Sequence, residues 1–286
     1  MPRISYVNGR YAPHADAYVH IEDRGYQFAD AVYEVCEVAK GYIVDMGGHL
    51  DRLGRSLDEL RMAWPMSRAA FEIVVREVVR RNRVTNGLVY IQVSRGVAPR
   101  DFLFPAGARP SLVVTARKVN PAINAGKAEA GIKVITVPEN RWDRVDIKTV
   151  GLLPNVLAKE QAKAAGAQEA WFVDTDGNVK EGGSSNAWIV TKDGVLVTRP
   201  ADHGILRGIT RTTLFKVAAG LGLKIEERHF SVQEAKEARE AFISSATTIA
   251  MPVIAIDDTP IANGHPGSTV LSLRQAFFDV AEKRPA

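Results

Sequence analysis

A lysine and a glutamate in the middle of the chain carry the side chains best suited to covalent chemistry. Lys148 follows the stretch Val145–Ile147 and is predicted to end a strand, where loss of solvation lowers the pKa of an amine and lets it condense with an aldehyde. Glu181 opens the run Glu-Gly-Gly-Ser-Ser-Asn, and its carboxylate could hold a proton on the ring nitrogen of an aromatic aldehyde. Taken alone, both features are also typical of a solvated strand end and a polar turn.

Other segments support the chemical interpretation because they occur with this pair in a fixed order. They are EDRGYQFADAVYEV (Glu22–Val35), YIQVSRG (Tyr90–Gly96) and LRGITR (Leu206–Arg211). Together these motifs resemble those of the fold-type IV aminotransferases, which use pyridoxal 5'-phosphate, and they are most similar to the D-amino acid branch. The resemblance runs from about Tyr6 to the C-terminal helix.

The resemblance implies a role for each residue around the cofactor ring. Lys148 would form the Schiff base, and Glu181 would protonate the pyridine nitrogen. Arg141 matches an arginine near the phenolic oxygen, and Leu206 matches the residue that packs on the ring face away from the substrate. The serines that lie behind the cofactor would be Ser184 and Ser185.

A phosphate site is predicted where a helix opens at Gly208-Ile209-Thr210, since free N–H groups and the helix dipole attract anions. The run Ser244–Thr248, which includes Ser245, could supply further donors. By resemblance, Arg52, Ile209, Thr210 and Thr247 surround the phosphate. The family often has threonine where Ala246 stands, so only a backbone N–H could contact the phosphate there.

Substrate binding is where the chain departs from the family pattern. Tyr33 and Arg100 match the tyrosine and arginine of the trap that grips the substrate α-carboxylate, whereas Phe102 stands in place of its histidine. Asp101 adds a negative charge beside it. An arginine can hold a carboxylate alone through two charge-assisted hydrogen bonds, so we expect a weaker or altered grip.

The resemblance therefore implies ping-pong transamination between a D-amino acid and a 2-oxo acid, such as D-alanine and 2-oxoglutarate. Three rival activities stay open: a branched-chain L-aminotransferase, an R-selective amine transaminase and an aminodeoxychorismate lyase. A noncatalytic binding module is a further alternative, although binding alone does not require Lys148 and Glu181. The resemblance also implies a homodimer with its active site near the subunit interface, and Arg100 as a candidate to act across it.

Composition narrows the function classes. The 286 residues are 46% hydrophobic, and the net charge is only +4. The basic run Arg76–Arg83 follows a helical pattern, which indicates a solvated helix face and not a nucleic-acid surface. No apolar run is long enough to span a membrane and Met1–Arg10 lacks a signal-peptide pattern, so we expect a cytoplasmic protein. The single cysteine, Cys36, is expected to be buried, and no metal site is indicated.

Periodicity predicts an α+β fold with two domains. We expect a small N-terminal α/β domain at 1–118, an interdomain linker at 119–131 and a larger cofactor-binding domain at 132–286, which by resemblance is a pseudo-barrel. Hairpins are predicted at Asn8-Gly9 and Lys40-Gly41. Helices are predicted at about 49–62, 67–81, 152–165, 210–219 and 269–283, with strands between them.

Overall fold

The computed structural model describes residues 3–286, which fall into two compact units. Unit 1 runs to Pro121 and also includes Ile147–Gly151 and Glu282–Ala286. Unit 2 comprises Ala122–Asp146 and Leu152–Ala281. The first passage from unit 1 to unit 2 lies within the predicted linker. The return of two short distant segments to unit 1 was not predicted, because short segments with little periodicity of their own do not reveal where they pair.

Unit 1 is built on one antiparallel sheet. Its strands and helices, labelled in chain order, are β1 (Ile4–Val7), β2 (Arg10–Pro13), a 3-10 turn (His14–Asp16), α1 (Arg24–Phe28), β3 (Ala31–Ala39), β4 (Tyr42–Val44), α2 (Met46–Glu59), α3 (Arg68–Arg81), β5 (Gly87–Ser94), β6 (Ser111–Lys118) and, near the C-terminus, β16 (Lys283–Pro285). The sheet order is β16-β4-β3-β5-β6-β1-β2.

The core of unit 1 lies between this sheet and its long helices. Every second residue of β3, such as Val32 and Cys36, points into the core, as alternation along a strand requires. Leu50, Leu53 and Leu57 of α2 complete it from the other side and are fully buried. Each such side chain contributes about 1.5–3 kcal/mol of burial free energy.

Local signals explain the predicted turns of unit 1. Asn8 and Gly9 both have positive φ, as do Lys40 and Gly41, so each pair forms the tight turn of a hairpin. The Ser67 hydroxyl caps α3 by accepting from the amide of Ala70. The two predicted hairpins are confirmed.

Unit 2 holds the remaining elements. They are α4 (Pro121–Ala130), β7 (Ile132–Pro138), α5 (Leu153–Ala164), β8 (Glu169–Val173), β9 (Val179–Gly182), β10 (Asn186–Val190), β11 (Leu196–Thr198), α6 (Ile209–Gly220), β12 (Ile225–Glu227), α7 (Val232–Glu237), β13 (Glu240–Ser245), β14 (Ile249–Ile256), β15 (Thr259–Pro260) and α8 (Ser268–Val280).

The sheet of unit 2 is mixed and curls into a half-barrel. Its order is β12-β11-β10-β13-β14-β7-β8-β9, with β15 on β14. The neighbours of β7 run parallel to it, and the hairpin β13-β14 is antiparallel. Trp171, Trp188 and Phe242 are fully buried in this unit. Segregated antiparallel and mixed sheets with helices confirm the predicted α+β class.

Two details of secondary structure were not predicted. The linker candidate at 119–131 contains a helix, α4, which starts at Pro121 and stops before Gly131. Only Ala128 of α4 is buried, so the helix has no apolar stripe for periodicity to detect. The last helix ends at Val280 and not at Lys283, because Lys283 pairs with Val44 in β16.

Two kinds of feature are absent from residues 3–286. No helix in that range is both long and apolar enough to cross a membrane. The same range contains no cluster of three His, Cys, Asp or Glu side chains arranged to hold a metal ion.

Candidate active site

Lys148 belongs to unit 1, in the segment Ile147–Gly151. This segment is irregular apart from a bridge from Thr149 to β3, so the prediction that Lys148 ends a strand was wrong. The chain passes to unit 2 on both sides, which leaves no length for a strand. The backbone is nevertheless fixed, because the carbonyl of Lys148 accepts from the amide of Tyr33 at 3.0 Å.

The amine of Lys148 lies against an aromatic ring. Its Nζ is 4.1 Å from the ring centroid of Tyr33, which in turn stacks on Tyr90 at 5.7 Å. Burial, with a smaller contribution from Tyr33, raises the pKa of Tyr90 to about 12, so its hydroxyl stays neutral. Within the described part of unit 1 no carboxylate forms an ion pair with Lys148. An amine that must bond to an aldehyde needs this freedom.

Arg52 is held by a buried carboxylate that sequence analysis missed. Glu34 accepts from Arg52 Nε and Nη2, both at 2.7 Å, and from His49 Nδ1 at 2.7 Å. Burial opposes ionisation of Glu34, but the charges and hydrogen bonds of Arg52 and His49 outweigh it and lower its pKa to about 2. His49, in the first turn of α2, is buried in this cluster.

A signal for Glu34 was present in the sequence. It occupies an inward position of β3 between Val32 and Cys36, where a charge must be paired. The partners His49 and Arg52 are three residues apart on one helix, and side chains with this spacing share a face.

Arg100 projects from an exposed loop of unit 1. Its guanidinium lies 4.5 Å from the ring centroid of Phe28 and 5.9 Å from that of Phe102. Phe102, which replaces the family histidine, is 82% exposed and packs on Phe28 at 5.5 Å. Arg100 is thus supported by ring faces and remains available to an anion.

The loop that carries Arg100 is anchored to the sheet by a buried ionic cluster. Arg24 donates to the Asp101 carbonyl at 2.5 Å and to Asp30 at 2.8 Å. Arg95 grips the same Asp30 with two nitrogens, at 2.7 and 3.0 Å. Arg24 and Arg95 are both buried, so they are well suited to fix the backbone at the base of the loop.

Glu181 is the last but one residue of β9 and is buried in unit 2. Its Oε1 accepts from Arg141 at 2.7 Å, and its Oε2 accepts from the Asn186 amide and the Leu206 backbone, both at 3.1 Å. Burial raises the pKa of Glu181, and the charge of Arg141 opposes this shift.

Arg141 joins two carboxylates. Besides Glu181, it binds Glu139 through Nε at 2.9 Å and Nη2 at 2.7 Å, and its guanidinium lies 4.3 Å from the ring centroid of Phe172. Burial raises the pKa of Glu139, but hydrogen bonds and charge from Arg141, with help from Lys180, bring it to about 2. The Arg141 side chain is therefore largely buried and is fixed as a cation.

The two serines of the Glu-Gly-Gly-Ser-Ser-Asn run share one buried acceptor. Ser184 Oγ and Ser185 Oγ each donate to Glu169 Oε2 at 3.1 Å. Lys159 Nζ reaches the other oxygen of Glu169 at 3.1 Å. The turn itself is tied to α5, because Asn155 donates to the Gly183 carbonyl.

The segment Gly208-Ile209-Thr210 opens α6, as predicted. Gly208 is the N-cap and no side chain caps this end of the helix, while the first turn contains no acidic residue. The first N–H groups of a helix have no partner within it. This opening is consequently suited to bind an anion such as a phosphate.

The run Ser245–Thr248 forms the tight turn between β13 and β14. Ser245 and Thr248 hydroxyls are 2.8 Å apart, and Asn124 donates to the carbonyl of Thr247 at 2.7 Å. Ala246 lies in the same half-buried turn. The turn presents hydroxyl and amide donors on a braced backbone.

The donors around Glu181 provide a test of whether a pyridoxal ring suits unit 2. A carboxylate offers four lone-pair sites, and three are filled by the donors of Arg141, Asn186 and Leu206. The remaining lone pair, on Oε1, can accept one more hydrogen bond. A protonated ring nitrogen would donate that bond. The residues present therefore fit this cofactor.

Comparison with known proteins gives a consistent result. Residues 31–256 match the family described as Amino-transferase class IV. The chain is 38% identical to D-alanine aminotransferase of Listeria monocytogenes serotype 4b (strain F2365) over 274 residues, which covers 96% of this chain and 94% of that protein. It is also 38% identical to D-alanine aminotransferase of Bacillus licheniformis, with 94% of both chains covered.

Solved structures with the same fold include branched-chain amino acid aminotransferases. One from Escherichia coli has a TM-score of 0.90 at 25% identity and covers 98% of this chain and 95% of its own. Another, from a T.th. strain and solved with pyridoxamine 5'-phosphate, has the same TM-score and identity and covers 98% of this chain and 94% of its own.

These matches confirm the fold type, the enzyme class and the cofactor that the motifs predict: the chain is an aminotransferase that uses pyridoxal 5'-phosphate. The roles of individual site residues stay predictions. The family match spans well over half of the chain, from the start of β3 to the end of β14. The chain therefore belongs to the class IV amino-transferase family.

Proposed function

We propose that this enzyme transfers the amino group of a D-amino acid to a 2-oxo acid in two half-reactions. The observation that carries the proposal is the amine of Lys148, which lies 4.1 Å from the ring of Tyr33 and is free of a carboxylate partner within the described part of unit 1. Support for D-amino acids comes from the relatives named D-alanine aminotransferase, which are 35–38% identical over nearly the whole chain.

In this proposal Lys148 has two tasks. Its Nζ first anchors the cofactor and, once the substrate amine has displaced it, removes the proton from the substrate Cα. Pyridoxal phosphate, when bound, supplies the aldehyde carbon and an aromatic ring that accepts the electrons released by that proton transfer. The fixed backbone at Lys148 keeps the amine positioned for both tasks.

The residues of unit 2 would hold the cofactor and tune it. Glu181 would keep a proton on the ring nitrogen, Arg141 would stabilise negative charge on the phenolic oxygen, and Leu206 would cover one face of the ring. Ser184 and Ser185 would line the side behind it. The phosphate would be bound by residues of unit 2, namely Gly208, Ile209, Thr210, Ser245, Ala246 and Thr247. The family resemblance adds Arg52, which belongs to unit 1.

Tyr33 and Arg100 would bind the α-carboxylate of the substrate. Arg100 lies against the rings of Phe28 and Phe102 on a braced loop, which suits a group that must bind an anion. The same loop exposes Phe102, Leu103 and Phe104. We propose that these apolar side chains lie near a homodimer interface, and size-exclusion chromatography with light scattering tests this.

A branched-chain L-aminotransferase is the second candidate. It is favoured by one specific observation, the replacement of the trap histidine by Phe102, which leaves the carboxylate with one donor fewer. The solved branched-chain enzymes of the same fold are consistent with it. We also propose a cytoplasmic location, which suits the buried, unpaired Cys36 and is tested by cell fractionation.

A half-reaction assay separates the candidates. The cofactor-loaded enzyme is mixed with D-alanine, D-glutamate, L-leucine or R-1-phenylethylamine, and the visible absorbance of the cofactor is followed. We expect rapid loss of this absorbance with D-alanine and D-glutamate. Conversion by L-leucine alone would refute D-amino acid specificity, and conversion by the R-amine alone would assign an amine transaminase.

A further inference from the structure

We propose that Asn186 is the positioning residue of the cofactor site in unit 2, and this inference rests on the proposed function. Asn186 ends the Glu-Gly-Gly-Ser-Ser-Asn run and has no role in the proposed chemistry itself. Its side-chain amide contacts Glu181, which is proposed to bind the ring nitrogen, and Leu206, which is proposed to cover the ring face. It also lies against Gly208, where the helix of the proposed phosphate site begins. It thereby sets the spacing between the groups that hold the two ends of the cofactor.

The hydrogen bonds of Asn186 define the orientation of its amide. The side chain is buried, and Nδ2 donates to the Leu206 carbonyl at 2.8 Å and to Glu181 Oε2 at 3.1 Å. A backbone carbonyl can only accept, so the nitrogen must face Leu206 and the oxygen must face away. One amide thus fixes the carboxylate of Glu181 and the backbone of Leu206 together.

The oxygen of the same amide explains the glycine at the helix opening. A Cβ built on Gly208 would lie 2.1 Å from Asn186 Oδ1, far inside any permitted contact. Gly208 has φ −62°, so its backbone does not itself require glycine. The close approach of Asn186 is what excludes a side chain, and it places the start of α6 directly against the amide.

The backbone of Asn186 reaches a third segment. It is the first residue of β10 and pairs with Ser244 of β13, whose next residue is Ser245. Asn186 therefore contacts, or pairs beside, each unit 2 segment from which the proposal draws a ring or phosphate contact, except the loop after β7 that carries Arg141. No other side chain in the described part of unit 2 has hydrogen bonds to both Glu181 and Leu206.

Loss of this amide should affect cofactor binding more than folding. In Asn186→Ala, Glu181 and Leu206 lose the amide that donates to both of them, and the start of α6 at Gly208 loses its contact with the amide oxygen. The groups that hold the ring and the phosphate are then no longer kept at a fixed spacing. With Asn186→Asp, which has the same shape, a carboxylate oxygen faces the Leu206 carbonyl and the Glu181 carboxylate. A lost hydrogen bond to a charged group corresponds to a ten-fold or greater change in affinity.

The test measures the dissociation constant of pyridoxal phosphate from quenching of tryptophan fluorescence in the cofactor-free protein, together with its melting temperature. We expect both Asn186 variants to raise the dissociation constant at least about ten-fold. Asn82→Asp is the matched control, because Asn82 Nδ2 also donates to two backbone carbonyls, those of Ile4 and Val78 in unit 1. It should lower the melting temperature and leave the dissociation constant unchanged.

A double variant tests the contact with Gly208 directly. Gly208→Ala alone should weaken cofactor binding at least ten-fold, because the new methyl displaces the amide oxygen. In Asn186→Ala/Gly208→Ala the methyl has room, so the double variant should bind no more weakly than Asn186→Ala. If the Asn186 variants do not fold, Gly208→Ala alone decides the question.

Two results would overturn the inference: unchanged dissociation constants in the Asn186 or Gly208→Ala variants, or independent effects that multiply in the double variant. Either result would leave the proposed function intact if the wild-type protein binds the cofactor. Failure of the wild-type protein to bind pyridoxal phosphate would instead refute the proposed function.

Discussion

The Nζ atom of Lys148 lies 4.1 Å from the ring centroid of Tyr33, and the Tyr33 amide donates to the Lys148 carbonyl. One strand residue therefore contacts both the backbone and the side chain of Lys148. We propose that the hydroxyl of Tyr33 binds the carboxylate of a substrate.

Replacements of Tyr33 separate the contact of its ring with Lys148 from the proposed contact of its hydroxyl with the substrate. Tyr33→Phe keeps the ring beside Lys148 and removes only the hydroxyl, so we expect KM for D-alanine to rise about ten-fold while the lysine still binds the cofactor. Tyr33→Ala should in addition lower kcat, because the amine loses its ring contact. Steady-state kinetics measures both, with the surface variant Tyr42→Phe as control. Equal KM values for Tyr33→Phe and wild type would remove Tyr33 from the carboxylate trap.

Glu34 should govern stability in acid. Glu34→Gln removes the buried carboxylate that accepts from Arg52 and His49, so we expect a loss of about 3–5 kcal/mol in the free energy of unfolding at pH 7. The folded-state pKa of Glu34 is lowered to about 2, so its stabilisation is present above the ordinary carboxylate pKa of 4.5 and is lost as pH falls towards 2.

The difference between wild type and Glu34→Gln should thus shrink between about pH 4.5 and 2. Urea unfolding at several pH values measures it. Asp51→Asn is the control, because the exposed pair of Asp51 with Arg68 is worth at most about 1 kcal/mol. A pH-independent difference for Glu34→Gln would contradict the assignment of this pKa.

Glu181 should affect the rate of the half-reaction more than the covalent attachment of the cofactor to Lys148. In Glu181→Gln the side chain keeps its shape but cannot hold a proton on the ring nitrogen. We expect the half-reaction with D-alanine to slow at least about ten-fold, while Lys148 still forms its covalent bond. Stopped-flow absorbance measures the rate, and Glu226→Gln, at a half-buried position on β12 of unit 2, is the control. An unchanged half-reaction rate would show that Glu181 does not act on the ring.

Restoring the family histidine should improve substrate binding. Phe102 is largely exposed, so Phe102→His should cost little stability and adds a donor near Arg100. We expect KM for D-alanine to fall about ten-fold, with little change in kcat. Phe104→His, on the same loop, is the control and should leave KM unchanged. A similar fall in KM for L-leucine would indicate that residue 102 does not select D-amino acids.

The sequence predicted most local structure of unit 1 because its signals are local. The Asn8-Gly9 turn, the Ser67 cap and the alternation along β3 each need only neighbouring residues. The strand β16 and the segment around Lys148 were missed or misassigned because their form depends on partners far away in the chain. Both segments join the sheet of unit 1 through pairing with β4 and β3.

The candidate site was predicted in the same uneven way. Motif resemblance identified residues that would touch the cofactor or the substrate, such as Lys148 and Glu181. It did not identify Glu34 and Asn186, because their importance lies in what they hold in place. Such positions become visible only when hydrogen-bond partners and burial are known.

The most direct test of the account is reductive trapping. Cofactor-saturated enzyme is treated with borohydride, digested and mapped by mass spectrometry. We expect a phosphopyridoxyl group on Lys148 and none on the ion-paired lysines Lys159 and Lys180, with no trapped product in Lys148→Ala. An unmodified Lys148 in folded, cofactor-saturated enzyme would refute the proposal that this lysine binds the cofactor covalently.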